Sequence, residues 1–431
     1  MKISSLYNIF KQHPQVTTDT RNCPQDSIFF ALKGTNFNGN VYAEKALESG
    51  CSYAVVDEAQ YATKPNIILV DDSLKALQEL AKHHRSQFKK LPVIGITGTN
   101  GKTTTKELVA AVLSQGHNIV YTQGNLNNHI GVPLTLLQIK KEHEIAIIEM
   151  GASHVGEIAF LSELADPNYG LITNIGYAHL EGFGSYENII KAKGELYDYI
   201  RNRQNGKLFV DYDNILLREM SQDITSIYYG LEGDLFISGK VLSSSPYLEI
   251  EWLLGENSRD RTKTKLIGSY NLPNALAAIA IGKYFGVKSN LICKALEEYE
   301  PTNNRSQLKK TKHNMLIIDA YNANPTSMLA ALENFDNMKN ISKKALILGD
   351  MKELGHDSDT AHQKIADFIA GHAFNDVIFV GDNFSKIKTK HPTFKTLAEV
   401  EKYLIEHPIK DSYILLKGSR GIQLEKIIPF L

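Results

Sequence analysis

The sequence predicts an α/β protein of three domains, and three observations carry that reading. The chain has 431 residues, which at roughly 150 residues per domain makes room for about three separate cores. Short apolar runs of strand length alternate with helical stretches along most of it. Two polar, proline-containing stretches, Lys89 to Pro92 and Pro301 to Lys312, break that alternation as linkers do. The domains that follow are residues 1–88, 89–306 and 307–431.

The first segment mixes strand-like runs, Ser27 to Leu32 and Tyr53 to Asp57, with helical ones, Tyr42 to Ser49 and Leu74 to Phe88, and reads as a small α/β domain. In the middle segment the runs Val93 to Thr97, Ile145 to Ile148, Leu171 to Ile175 and Leu208 to Asp211 read as short buried strands, as parallel strands covered on both faces are. Helical stretches separate them, so a P-loop ATPase-like parallel sheet with crossover helices is expected, with an antiparallel extension over Leu235 to Ile267. The last segment repeats the alternation with strands at Met315 to Asp319, Ala345 to Gly349, Asp376 to Val380 and Tyr413 to Leu416, and a helix at Ser327 to Met338. That is a doubly wound, Rossmann-like domain.

Composition excludes several classes of function. With 47 Lys+Arg against 48 Asp+Glu the formal net charge is -1, which gives no global attraction for nucleic acid or an anionic membrane. Cys23, Cys51 and Cys293 are odd in number and far apart, so neither a disulfide framework nor a zinc site is expected, and a reducing cytoplasm fits. Met1 to Gln15 lacks the apolar core of a signal peptide, and no apolar stretch is long enough to span a bilayer.

The chemistry begins where Val93 to Thr97 runs into Gly98, Thr99, Asn100, Gly101, Lys102, Thr103 and Thr104, followed by a helix over Lys106 to Ser114. Glycines let successive backbone N–H groups turn onto phosphate oxygens, and the helix start adds its positive dipole end. Lys102 supplies a point charge and the Thr103 hydroxyl a magnesium ligand. The general phosphate-loop pattern wants a glycine five positions before Gly101, where Ile96 stands; glycines occur at 95 and 98 instead. An unliganded glycine turn is the alternative. Ligands of open parallel sheets sit beyond the carboxyl ends of strands, which singles out Glu149, His179 and, further on, Lys193. A solvated glutamate, a hydrogen-bonded surface histidine and a solvated helix lysine are the alternatives for these three taken singly.

Read together, Gly98 to Thr104 (GTNGKTT), Asn125 to Pro133 (NLNNHIGVP), Glu149 to Ala152 (EMGA) and Asn174 to Ser185 (NIGYAHLEGFGS) resemble the Mur ligases, which build the peptide of bacterial peptidoglycan. Asp319 to Met328 (DAYNANPTSM), Leu348 to Gly355 (LGDMKELG) and Lys417 to Glu425 (KGSRGIQLE) are similar to the carboxyl-terminal signatures of the branch that adds D-alanyl-D-alanine to UDP-N-acetylmuramoyl-tripeptide. Asp19-Thr20-Arg21 and Asn38-Gly39-Asn40 resemble the family's Asp-Ser-Arg triplet and Asp-Gly-His turn in its uridine-nucleotide domain, from which Thr20, Asn38 and Asn40 depart.

The resemblance implies a cytoplasmic ligase that uses ATP to turn the tripeptide carboxylate into an acyl phosphate, which the dipeptide amine then attacks. It implies that Lys102 and the loop amides hold the phosphates, and that Thr103, Glu149 and His179 hold Mg2+, as two ions. Lys193 matches the position of an N6-carboxylysine that adds an anionic metal ligand; Lys191 competes as a surface lysine. Asn271 and Asn274 match positions near the nucleotide base, with a helix N-cap as the alternative, and Arg305 matches a linker arginine that reaches the phosphates. Asp319 matches a ribose-side or base-side contact. Substrate contacts fall on Thr20, Arg21, Asn127, Asn128, Tyr321, Asn322 and Asn324, and on Lys417, Ser419 and Arg420, for which a capped C-terminal turn is the alternative. A monomer is expected, with no nucleic acid and no membrane. Two other readings stay open: a folylpolyglutamate synthase-like ligase, which lacks the uridine-nucleotide domain, and a nucleotide-binding module without ligase activity.

Overall fold

The structure, a computed structural model, describes residues 2–255, 258–302, 304–339 and 341–431. Asn303, inside the expected linker, lies outside the described residues. Three main sheets follow one another along the chain. The first is parallel, in the order Val16–Thr17, Ser27–Phe30, Cys51–Val56, Ile67–Leu69. Helix Ser73–Ser86, started by the Asp72 carboxylate accepting from Lys75 N–H, leads out of it.

The second sheet has nine strands, in the order Ser258–Lys263, Glu249–Leu254, Ile237–Ser243, Ser226–Gly230, Lys207–Asp211, Tyr169–Ile172, Val93–Thr97, Ile145–Glu149, Ile119–Tyr121. Val93–Thr97 is buried at every position between Ile145–Glu149 and Tyr169–Ile172, which is why its sequence stays free of charge and polar only at its last residue, Thr97. The expected antiparallel tail is corrected at its first strand. Ile237–Ser243 pairs parallel with Ser226–Gly230 and only its other edge is antiparallel, to Glu249–Leu254. The expected strand Leu171 to Ile175 ends at Ile172, because Thr173 and Asn174 turn aside to hold the phosphate loop.

The third sheet runs Gln307–Lys310, Met315–Asp319, Tyr413–Lys417, Lys344–Gly349, Asp376–Val380, Thr393–Phe394, parallel except for the first pair. A third of the expected linker Pro301 to Lys312, Gln307–Lys310, is therefore an edge strand, paired to Met315–Asp319.

The first two sheets share a core. Phe10, Ile28, Leu77 and Leu80 belong to one apolar cluster with Val93, Leu136, Ile148 and Leu196. Arg85 crosses the same junction, buried, donating to the carbonyls of Ala165 at 2.9 Å, Phe88 at 2.6 Å and Asp166 at 3.0 Å. Burial lowers its pKa to about 10, and the carbonyls and the Asp166 carboxylate at 3.7 Å answer its charge. Among the described residues no helix is long and apolar enough to cross a membrane.

Candidate active site

The phosphate loop is set by two glycines. Gly101 has φ 80° and Gly98 φ 143°, and a Cβ on Gly98 would stand 2.0 Å from Thr173 Oγ1. Both positions exclude other residues. The Ile96 that breaks the general pattern is a buried residue of the strand, so the turn starts later, at Gly98. Asn174 clamps the loop: its amide oxygen accepts from Asn100 N–H and its amide nitrogen donates to Asn100 O, both at 2.9 Å. Thr99 Oγ1 accepts from Gly176 N–H at 2.9 Å. Helix Lys102–Leu113 starts directly at the lysine, earlier than expected, so its free N–H groups face the turn.

Lys102 folds back on this loop, donating to the carbonyls of Gly98 at 2.7 Å and Thr99 at 2.9 Å. Burial holds its pKa down to about 8, opposed by the charge of Glu149 and assisted by that of Arg305. Glu149 ends its strand fully buried. Its Oε1 accepts from Thr103 at 3.0 Å and from Asn127 at 2.8 Å, while Oε2 has no hydrogen bond. A buried carboxylate oxygen left without a donor, beside a threonine hydroxyl, fits a hard divalent cation.

These residues open onto a cleft of about 780 Å³ between the second and third sheets. Thr99 to Thr104, Asn127, Asn128, Glu149, His179, Asn271, Asn274 and Arg305 line it from the middle of the chain. Asp319, Tyr321, Asn322, Asn324 and Lys417 line it from the last sheet. Asn274 Oδ1 accepts from Thr105 Oγ1 at 3.0 Å and its amide donates to Asn271 Oδ1 at 2.8 Å. Asn271 sits at the helix start, but its side chain donates to Ile267 O and does not cap, which removes the capping alternative.

The last sheet reaches the loop directly. Asn324 donates to Asn100 Oδ1 at 2.8 Å while its own Oδ1 caps helix Pro325–Asn337. Arg305 lies over the Tyr321 ring at 3.6 Å, with a buried Nε that has no partner; Arg420 lies over the same ring at 5.3 Å. Lys417 pairs with Asp319. His179 pairs with Glu353, whose pKa this contact lowers.

Several expected residues do not line the cleft. Gly98 lies beneath it, and Ser419 is buried, accepting from Lys352 N–H at 2.9 Å. Arg420 is outside it apart from its ring contact. Thr20 and Arg21 are on the first domain, where Arg21 is exposed and folded onto Asp19. The departures Asn38 and Asn40 have a structural explanation: Asn40 is fully buried, donating to Asp57 Oδ1 at 2.8 Å and accepting from Asp57 N–H at 2.9 Å, and Asn38 Oδ1 accepts from Asn40. Lys193 is buried just behind the cleft, 3.3 Å from Ala152 O, its pKa lowered to about 7 by burial and by the charge of Lys102. Among the described residues no three or more His, Cys, Asp or Glu side chains gather as a metal site. Sequence reasoning missed Glu353 and Asn174, although both lie in motifs at strand ends that the pattern had marked.

Comparison with known proteins agrees with this architecture. Residues 14–85 match the Mur ligase family catalytic domain, 96–282 the Mur ligase middle domain, and 304–420 the Mur ligase glutamate ligase domain. The chain is 38% identical to the UDP-N-acetylmuramoyl-tripeptide–D-alanyl-D-alanine ligase of Bacillus subtilis, over 96% of this chain and 92% of that one. It is 33% identical to the ligase of the same name from Escherichia coli, over 96% and 93%. The crystal structure of MurF ligase from Thermotoga maritima in complex with ADP superposes with a TM-score of 0.84 at 26% identity, covering 97% of each chain. The chain belongs to the Mur ligase family.

Proposed function

We propose that this chain joins D-alanyl-D-alanine to a UDP-N-acetylmuramoyl tripeptide at the expense of ATP, in the cytoplasmic synthesis of peptidoglycan precursors. The observation that carries the reading is the single cleft on which the Lys102 loop, the buried Glu149 and the Asn324 and Lys417 face of the last sheet all open. Residues 1–88 would take the uridine nucleotide, 89–306 the ATP, and 307–431 the dipeptide.

The loop amides and Lys102 would grip the β- and γ-phosphates, with Arg305 adding charge from the linker. The tripeptide carboxylate attacks the γ-phosphorus, the bond to the ADP oxygen breaks, and an acyl phosphate results. The dipeptide amine attacks the acyl carbon and loses a proton, and phosphate leaves. Asn324, bonded to Asn100, ties the dipeptide face to the phosphate loop, so that the two reactants meet in fixed geometry with water excluded. Magnesium, when bound, neutralises the phosphate oxygens. Thr103, Glu149 and His179 would hold it, together with a carbamate on Lys193 that supports a second ion. Only a neutral amine adds carbon dioxide, and a lysine held near pH 7 supplies one. The protein is read as a monomer.

Phosphate release from ATP tests the proposal. It should require both a UDP-muramoyl tripeptide and D-alanyl-D-alanine, and a panel with lysine or meso-diaminopimelate as third residue identifies the natural tripeptide. Turnover with either substrate left out, or with a folate and glutamate, overturns it.

A further inference from the structure

Lys106 stands three positions beyond Thr103 on helix Lys102–Leu113 and has no part in the chemistry above. Its side chain is fully buried. The ammonium donates to Thr122 O at 2.7 Å and reaches Gly124 O at 3.4 Å, pairs with Glu107 at 2.8 Å, and stands 3.8 Å from Glu149 Oε2. A neutral donor would satisfy two carbonyls equally well, whereas a full charge persists in a dry interior only where carboxylates answer it. Two do here, and one is Glu149.

The contacts divide the Glu149 carboxylate into two sides. Oε1 is held by Thr103 and Asn127; Oε2 receives no hydrogen bond and stands 3.8 Å from the Lys106 ammonium. Thr122 belongs to the same frame, since its hydroxyl accepts from Glu149 N–H while its carbonyl takes Lys106. The backbone that Lys106 grips at Thr122 and Gly124 continues directly into Asn127. One cation therefore fixes both the carboxylate and the segment that supplies its amide donor.

We propose that Lys106 is a positioning residue: it orients Glu149, with Thr103, toward the divalent cation that accompanies the nucleotide. The inference rests on the metal reading given under the proposed function. It is tested by calorimetric binding of β,γ-methylene ATP to the full chain, once in EDTA and once in excess magnesium. In the native protein magnesium should tighten binding. In Lys106→Met the affinity in EDTA should stay within about twofold of native, while the gain from magnesium shrinks at least about tenfold. Lys106→Arg, which keeps charge and donors, should restore most of that gain. Lys106→Gln keeps a donor for Thr122 O without the charge, and it carries the test if the methionine variant does not fold; the same loss is expected.

A magnesium gain in the neutral variants equal to or larger than native overturns the proposal, because Lys106 would then be a bystander or a repelling charge. A parallel loss in EDTA and in magnesium overturns it too, as the mark of a merely structural residue. A native protein indifferent to magnesium removes the metal reading itself, and this inference with it.

Discussion

Replacing Gly98 by alanine tests how strictly the phosphate loop is built. At φ 143° an alanine backbone is strained by about 1–3 kcal/mol. The new Cβ would meet Thr173 Oγ1 at 2.0 Å, Thr173 N at 3.0 Å and Asn174 O at 3.1 Å. The hydroxyl can swing away only by giving up its bond to Asn100 O, at 2.6 Å, a loss of about 1–3 kcal/mol for a buried pair. The two backbone atoms cannot swing at all. The native loop is thus disfavoured by about 2–6 kcal/mol. At ~2–4 °C per kcal/mol for a domain of this size, the thermal midpoint should fall by roughly 5–20 °C. If the loop shifts to escape the strain, nucleotide affinity should fall at least about tenfold, corresponding to ~1.4 kcal/mol. Differential scanning fluorimetry and calorimetric nucleotide binding read the two effects. Adding Thr173→Ala removes only the closest contact; the backbone strain, the contacts with Thr173 N and Asn174 O and the lost bond to Asn100 O persist, so little of the stability should return. A Gly98→Ala protein that melts and binds nucleotide as the native one does would refute the argument.

Other substitutions separate the roles of individual side chains. Lys102→Met should reduce ATP turnover at least about a hundredfold while UDP-substrate binding persists; in the native enzyme, burial holds this lysine at about 8, so nucleotide affinity should decline as pH rises through that value and the ammonium is lost. Asn40→Ala removes both bonds to Asp57 and should lower stability by about 2–4 kcal/mol in thermal melts without changing nucleotide affinity. Burial raises Asp211 to about 6 from an ordinary 3.8, so the folded state binds more protons than the unfolded one between those values and stability falls as pH rises through that window. Asp211→Asn should accordingly gain up to ~3 kcal/mol at pH 8 and little at pH 4, and equal gains at both would discount the burial argument.

Strand identity was legible wherever burial on two faces left a continuous apolar run. Val93–Thr97 is the clearest case, because the strand is buried between two neighbours and its one polar side chain, Thr97, is satisfied by Met150 O. The end of Tyr169–Ile172 was not legible, since Thr173 and Asn174 leave the sheet to reach Asn100, more than seventy residues away in the chain. Long-range partners of that kind carry no local period. The same reason hid the contact of His179 with Glu353 and the inward turn of Ser419. At Asn271 sequence left two readings, because an asparagine before Leu-Pro satisfies both; only the bond to Ile267 O separates them. The cleft residues were recoverable because the ends of parallel strands converge on one edge whatever lies between them.

Arg85 has a consequence for how this molecule comes apart. It pins Ala165 and Asp166 of the middle of the chain to the helix leaving the first sheet, across apolar packing that the two share. Heating should therefore melt these two units together, as one calorimetric peak, with residues 307–431 free to contribute a separate one. The hinge of the molecule then has a single address, the segment before Gln307, and the first two sheets ride together on one side of it as one chassis.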